Sequence, residues 1–258
     1  MDPSAVHFRS NIAMPLALRY LSILLLALMP IWAGAGPAIV LSTGDWPPYT
    51  AQQAADGGVV ARIVSAAFAL EGITVTYRFA SWTRAIHDAR EGAVDGSIIW
   101  RHDAERASSF LYSDPVFEGR TVLFHLESTP FDWTGIEDLY KISVGGTVGY
   151  RYQFEPNPII HIDRAATDEI GFRKLLGGRF PVFISDVAAG RAVLREHFSA
   201  AEAQRVTSHA RPVQITAYFL ILPRKLAASG ALMASFNRGL ARLRASGRYA
   251  ELFAPAAP

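Results

Sequence analysis

The strongest constraint on the fold is an alternation that occurs twice along the chain, in which short apolar runs with β-branched members are each followed by a helical stripe. In the first block, Ala38 to Ser42 reads AIVLS and is stopped by the turn-forming GDWPPY of Gly44 to Tyr49. Val60, Ile63, Val64, Ala67 and Phe68 then recur at three and four residues, the buried stripe of an amphipathic helix. Thr74 to Phe79 alternates as a strand, Ser81 can cap a helix reaching Glu91, and Asp95 to Ile99 is a third apolar strand opening onto Trp100. Such a β-α-β-α-β run calls for a mainly parallel sheet covered by helices.

The second block starts after an extended apolar stretch, Arg120 to Leu126, and a capping-box pattern at Thr134-Gly-Ile-Glu137. Ile142 to Val144 is a brief strand leading into GGTVGY, and Thr167 to Leu176 is helical in pattern. Pro181 to Ser185 is a strand, Asp186 to about His197 a helix, and Gln214 to Leu222 a further extended segment. Leu232, Phe236, Leu240 and Leu243 mark one face of the last long helix. The pattern therefore predicts an α/β fold of two lobes, each a mainly parallel sheet flanked by helices, joined by two hinge strands. Lobe 1 would take residues 36–124, lobe 2 residues 125–212, and residues 213–258 would return to lobe 1. Ligands in such sheets bind beyond the carboxyl ends of the strands, so loops 43–49, 100–106, 145–151 and 185–187 would line a cleft between the lobes.

Residues 1–35 read differently. Arg9 and Arg19 precede the run YLSILLLALMPIWAGA of Tyr20 to Ala35, and Ala33-Gly34-Ala35 ends it with small residues. The run is short of the ~20 apolar residues of a spanning helix and contains Pro30, so it is expected to be a cleaved signal peptide of an exported, periplasmic protein. Met14 is an alternative start. Without that segment the chain is nearly neutral; the whole chain has 25 Lys and Arg against 23 Asp and Glu, dispersed along its length, which argues against a nucleic-acid partner. The absence of Cys removes disulfides, thiol nucleophiles, cysteine zinc sites and a cysteine-borne lipid anchor together.

Catalytic motifs are missing: there is no H-E-x-x-H, G-x-S-x-G, P-loop or G-x-G-x-x-G. Gly145-Gly-Thr-Val-Gly149 lacks the Lys of a phosphate loop and reads as a tight turn, and the seven His are scattered, so neither a metal nor a cofactor is expected. What gathers at the strand ends is recognition chemistry. Arg106 lies beyond an apolar strand, where a guanidinium can grip a carboxylate with two parallel hydrogen bonds. Asp186 follows PVFIS, where it can hold an ammonium or merely cap a helix. Trp46, Tyr49 and Trp100 offer flat walls with polar edges, and Thr147 offers a hydroxyl and backbone N–H groups at an expected helix start. Together they suit a zwitterion, although Arg106 could instead pair with Asp103 or Asp114.

These pieces resemble the family 3 solute-binding proteins, the periplasmic amino-acid-binding group with the type II periplasmic-binding fold. The resemblance rests on STGDWPPYT (42–50), G-x-x-D-G (92–96), DAER with FLYSDPV (103–116), ISVGGTVGY (142–150), GGRFPVFISD (177–186) and SGRYAELF (246–253). It implies that Arg106 holds a ligand carboxylate, Asp186 its ammonium, Trp46 its flat face, and that Thr147 donates to the carboxylate. It also implies an amino acid or related polar solute as ligand, an inner-membrane ABC permease or membrane sensor as partner, and a monomer. Two departures stand out: Trp100 and Arg101 replace the usual small polar residues, so Arg101 could take an additional acidic group or point to solvent, and Gly178-Arg-Phe-Pro181 lacks the acid of G-R-x-D. The same fold also carries dehydratases, for which Asp186, Glu155 or Asp103 would have to serve as the acid.

Overall fold

The computed structural model describes residues 36–129, 131–150, 152–154 and 157–253. The expected signal peptide and Glu155 lie outside the described residues. β1 (Ala38–Thr43) pairs in parallel with β2 (Thr74–Phe79) and with β3 (Gly96–Trp100). Helix α1 (Val59–Ala69) buries Val60, Ile63, Val64, Ala67 and Phe68, the five positions its periodicity marks. Helix α2 (Trp82–Glu91) starts at Ser81, whose hydroxyl accepts from the Arg84 N–H, and stops at left-handed Gly92. A short helix, α3 (Ala104–Ala107), follows β3 and is capped by Asp103.

Chain crossing between the lobes is carried by β5 (Phe117–Leu126) and β10 (Gln214–Pro223), which run antiparallel with Gln214 opposite Thr121 and Tyr218 opposite Phe117. The second half of β10 continues into the first sheet, pairing with β3 and with β4 (Phe110–Tyr112). In the second sheet β5 pairs with β8 (Val182–Asp186), which pairs in parallel with β6 (Val144–Thr147), itself parallel to β7 (Ile162–Ala165). A further strand, β9 (Val206–Ser208), joins the other edge of β5. Each lobe thus has a parallel centre with antiparallel crossing strands, a mixed and curled sheet. Residue 124, the expected lobe border, falls inside β5 because a crossing strand belongs to both sheets.

Each lobe has its own core. Leu41, Ile63, Phe68, Leu220 and Phe236 lie fully buried in the first, and Leu123, Leu139, Val144, Val182 and Ile184 in the second, beside a ring-rich layer of Phe124, Phe172, Phe180 and Phe183. Helix α4 (Asp168–Leu176) is capped by the Thr167 hydroxyl, and α5 (Val187–His197) by Asp186. After α6 (Ala200–Gln204) and β10, α7 (Ser229–Ala245) and α8 (Arg248–Phe253) return to the first lobe.

Two local expectations are corrected. The turn at 134–139 is a 3-10 helix in which Asp138, not Glu137, accepts from Thr134 and Gly135, because the tighter winding brings the next carboxylate round. The GGT segment is strand rather than turn: a Cβ at Gly145 would meet the Phe180 ring at 2.3 Å, and one at Gly146 the Tyr152 ring at 2.9 Å, so the glycines make room for aromatic packing.

The α7–α1 contact depends on a similar gap, since a Cβ at Gly239 would lie 2.0 Å from the carbonyl oxygen of Ala67. Gly239→Ala is therefore expected to cost about 1–3 kcal/mol, read as a lower urea midpoint, with the lobe 2 core unaffected.

Candidate functional site

The loop after β1 is held rigid by its own hydrogen bonds: Thr43 and Thr50 both donate to the Gly44 carbonyl, and Trp46 and Thr50 form a bridge. Its rings then step across the base of the cleft. Trp46 lies 4.7 Å from Tyr49 and 5.4 Å from Tyr218, Tyr49 stacks on Phe117 at 4.5 Å, and Phe117 stacks on Tyr218 at 4.9 Å. Tyr49 donates its hydroxyl to Asp186 Oδ1 at 2.8 Å, a hydrogen bond between a lobe 1 loop and the end of a lobe 2 strand. The Trp46 indole N–H is buried and has no hydrogen-bond partner among the described residues. A buried orphan donor of this kind costs free energy that an acceptor would recover.

At the end of β3 the backbone is strained, with Ile99 at φ 65°, a conformation a β-branched residue rarely adopts. Trp100 then donates its indole N–H to Ser97 Oγ at 2.7 Å and packs edge-on against Trp82. The Arg106 guanidinium lies 4.8 Å over the Trp100 ring and donates to the Arg101 carbonyl at 2.9 Å. Asp103 accepts the Arg106 backbone N–H, the capping bond of α3. Asp114 makes no ion pair with Arg106, and among the described residues no carboxylate comes within ion-pair distance of Arg106 or Arg101.

Across the cleft, Thr147 stands at the end of β6. Its hydroxyl donates to Asp168 Oδ1 at 2.6 Å and its N–H to the Tyr152 hydroxyl oxygen at 2.9 Å. Among the described residues no helix lies between β6 and β7, so these donors are not at a helix start as the sequence suggested; Arg164 pins the segment instead by donating to the Thr147 and Tyr150 carbonyls. Ser185 donates to Asp168 Oδ2 at 2.5 Å. Asp186 is 4% exposed, and its Oδ1 accepts from Ala188 and Ala189 as well as Tyr49. Burial pushes both carboxyls above their ordinary range; for Asp168 the two hydroxyls oppose the shift, and for Asp186 the Ala189 N–H, Tyr49, and the Ala188 and Arg120 N–H groups do. Neither has a cationic partner among the described residues.

Tyrosines connect the two walls. Burial raises Tyr218 to about 12, with Arg101 pulling it down and Asp186 pushing it up, so its hydroxyl feels charge from both lobes. Burial also raises Tyr150, which feels Asp168, Tyr152, Tyr218 and Asp186. The structure thus brings Trp46, Tyr49 and Asp186 together beside the β5–β10 crossing, sets Trp100 and Arg106 in a stack at the end of β3, and puts Thr147 at the end of β6 in the second lobe. Asp168, Ser185, Tyr150, Tyr152 and Tyr218 are additions. Asp168 follows a Thr cap and reads in sequence as first-turn helix chemistry, and Tyr218 sits within an apolar run, so neither announces itself.

The model of the bacterial extracellular solute-binding proteins, family 3, matches residues 38–255. The chain belongs to that family. Solved structures share the fold. A histidine kinase sensor domain with similarity to periplasmic binding proteins has a TM-score of 0.67 at 22% identity, over 84% of this chain and 95% of the other. A mutant of ArgBP from T. maritima gives 0.63 at 19%, over 83% and 93%. The GluR0 ligand-binding core in complex with L-glutamate gives 0.68 at 18%, over 85% and 98%. No curated protein sequence matches the chain. No helix among the described residues is long and apolar enough to cross a membrane.

A carboxyl whose folded-state pKa is raised binds its proton more tightly folded than unfolded, so its cost is absent below the ordinary carboxyl pKa and complete above the raised one. Asp168→Asn is accordingly expected to melt above the unaltered protein at pH 7, the gap closing as the pH falls below about 4. A calorimetric melting series across that range checks it.

Proposed function

We propose that this protein is a periplasmic receptor that closes its two lobes over a small zwitterionic, amino-acid-like solute and hands it to a membrane partner, an ABC permease or a sensor. One observation carries the reading: among the described residues, the guanidiniums of Arg101 and Arg106 in the first lobe have no carboxylate partner, and the carboxylates of Asp168 and Asp186 in the second have no cationic one. Charges left unpaired in a partly desolvated cleft are costly, and a ligand bearing both signs relieves both walls at once. Its carboxylate would meet Arg106, with Arg101 beside it, and its flat parts the Trp46 and Tyr49 rings. A ligand that touches both lobes binds the closed form better, so binding is a population shift about the β5 and β10 crossing.

The family membership and the likeness to amino-acid-binding structures support the same reading. Reversible binding without turnover is expected. Titration calorimetry against amino acids, dicarboxylates and polyamines should find an amino-acid ligand, and Arg106→Ala should weaken it by at least about tenfold, the scale of a charge-assisted hydrogen bond. A failure of every solute to bind or to shift the melting temperature, or turnover of prephenate or arogenate, would overturn the proposal.

A further inference from the structure

We propose that Arg101 makes this cleft selective for an amino acid whose side chain is itself acidic, taking the second carboxylate while Arg106 takes the first. The inference rests on the receptor reading above and names the class of solute within it.

The direction of Arg101 is set by an irregularity in β3. Against β10, Ser97 pairs with Ile221 and Trp100 with Phe219, so three steps along β3 match two along β10. One residue is extra, a bulge, and the strained Ile99 at φ 65° stands within it. Ile98 and Ile99 both pack into the lobe 1 core, where strict alternation would separate them. Paired side chains of neighbouring strands share a face. Trp100 accordingly packs with Ile221 and Tyr112, and the Phe219 ring meets Tyr112, whereas Tyr218, Leu220 and Leu222 lie with the lobe 1 core. Carried one residue further, the register sets Arg101 opposite Tyr218. Without the extra residue Trp100 would stand there, and Arg101 would turn to the face of Tyr112.

Electrostatics agrees with that placement. Burial holds the Tyr218 hydroxyl up at about 12, and the Arg101 charge is the influence that pulls it down. Tyr218 stacks on Phe117 and lies 5.4 Å from Trp46, so the guanidinium reaches the aromatic cluster at the crossing. Arg101 is half-buried and has no carboxylate partner among the described residues. Arg106 fixes its backbone by donating to the Arg101 carbonyl at 2.9 Å. With Arg106 seated over Trp100 and Arg101 turned to the Tyr218 side, one carboxylate does not satisfy both. A guanidinium keeps its charge at every relevant pH and can only donate. Closing the lobes over it with a neutral side chain would strip its water without compensation; a carboxylate offsets that loss with two parallel hydrogen bonds.

The test sets L-glutamate and L-aspartate against L-glutamine and L-asparagine, which keep the shape and lack the second charge. Titration calorimetry is run on the full chain, Arg101→Gln and Arg101→Lys. The unaltered protein should bind one of the acids at least about tenfold tighter than its amide, the scale of a charge-assisted hydrogen bond. Arg101→Gln should remove the preference while keeping amide affinity within about threefold, and Arg101→Lys, a charge without the fork, should restore part of it. Tighter binding of an amide, or of any neutral or basic amino acid, by the unaltered protein would overturn the assignment. So would an unchanged preference in Arg101→Gln, or an equal loss for acid and amide, the mark of a guanidinium that serves lobe closure instead. The receptor reading would survive each of these results. If no amino acid binds the unaltered protein, the receptor reading fails first and this one with it.

Discussion

The pairing of β5 with β10 ties the two lobes into one structure, and the chemistry of the cleft follows from where those strands place their neighbours. Phe117 and Tyr218 face each other across the crossing and stack, and the Trp46 and Tyr49 rings lean on them from the first lobe. From the second lobe, Asp186 comes up beside Thr121 at the end of β8, close enough for Tyr49 to donate to it. The hinge and the base of the cleft are thus the same residues. On the receptor reading proposed above, a rotation of one lobe against the other would work on this aromatic stack and buried hydrogen bond, which would couple binding to closure.

Above that base the two walls have opposite character. One presents guanidinium groups fixed by aromatic stacking and backbone carbonyls; the other presents carboxylates fixed by hydroxyls and a helix start. Neither wall is neutralised from within among the described residues. The chain as a whole is close to neutral, so specificity here is a matter of a few placed charges, with no broad field to steer a ligand. The strained Ile99 and the Trp46 N–H, unpartnered among the described residues, are local costs of the kind a protein tolerates at a functional site, which is consistent with the proposed one.

Much of the fold is legible in the sequence because the buried stripes are dense and regular: the five positions in α1 and the apolar strands of both blocks need only periodicity to find. The short edge strands β4 and β9 are not, since three residues carry no period and gain their identity from β10 and β5. In the site, Arg106 and Asp186 can be located by their place after strands, but not what their side chains do there. Asp103 takes the backbone of Arg106 instead of its guanidinium, and Asp186 turns out to accept on one oxygen from the Tyr49 hydroxyl and from two N–H groups of α5. Asp168 is missed because a Thr-Asp pair at a helix start has a sufficient local explanation. Only the approach of Thr147 and Ser185 from separate strands gives it a second one.

The most direct measurement is a crystal structure of the protein with its tightest-binding amino acid. The account predicts the ligand carboxylate on Arg106 and its ammonium toward the carboxylates of the opposite wall, Asp168 and Asp186. A ligand turned the other way, with its carboxylate at Thr147 and Asp168, would contradict it.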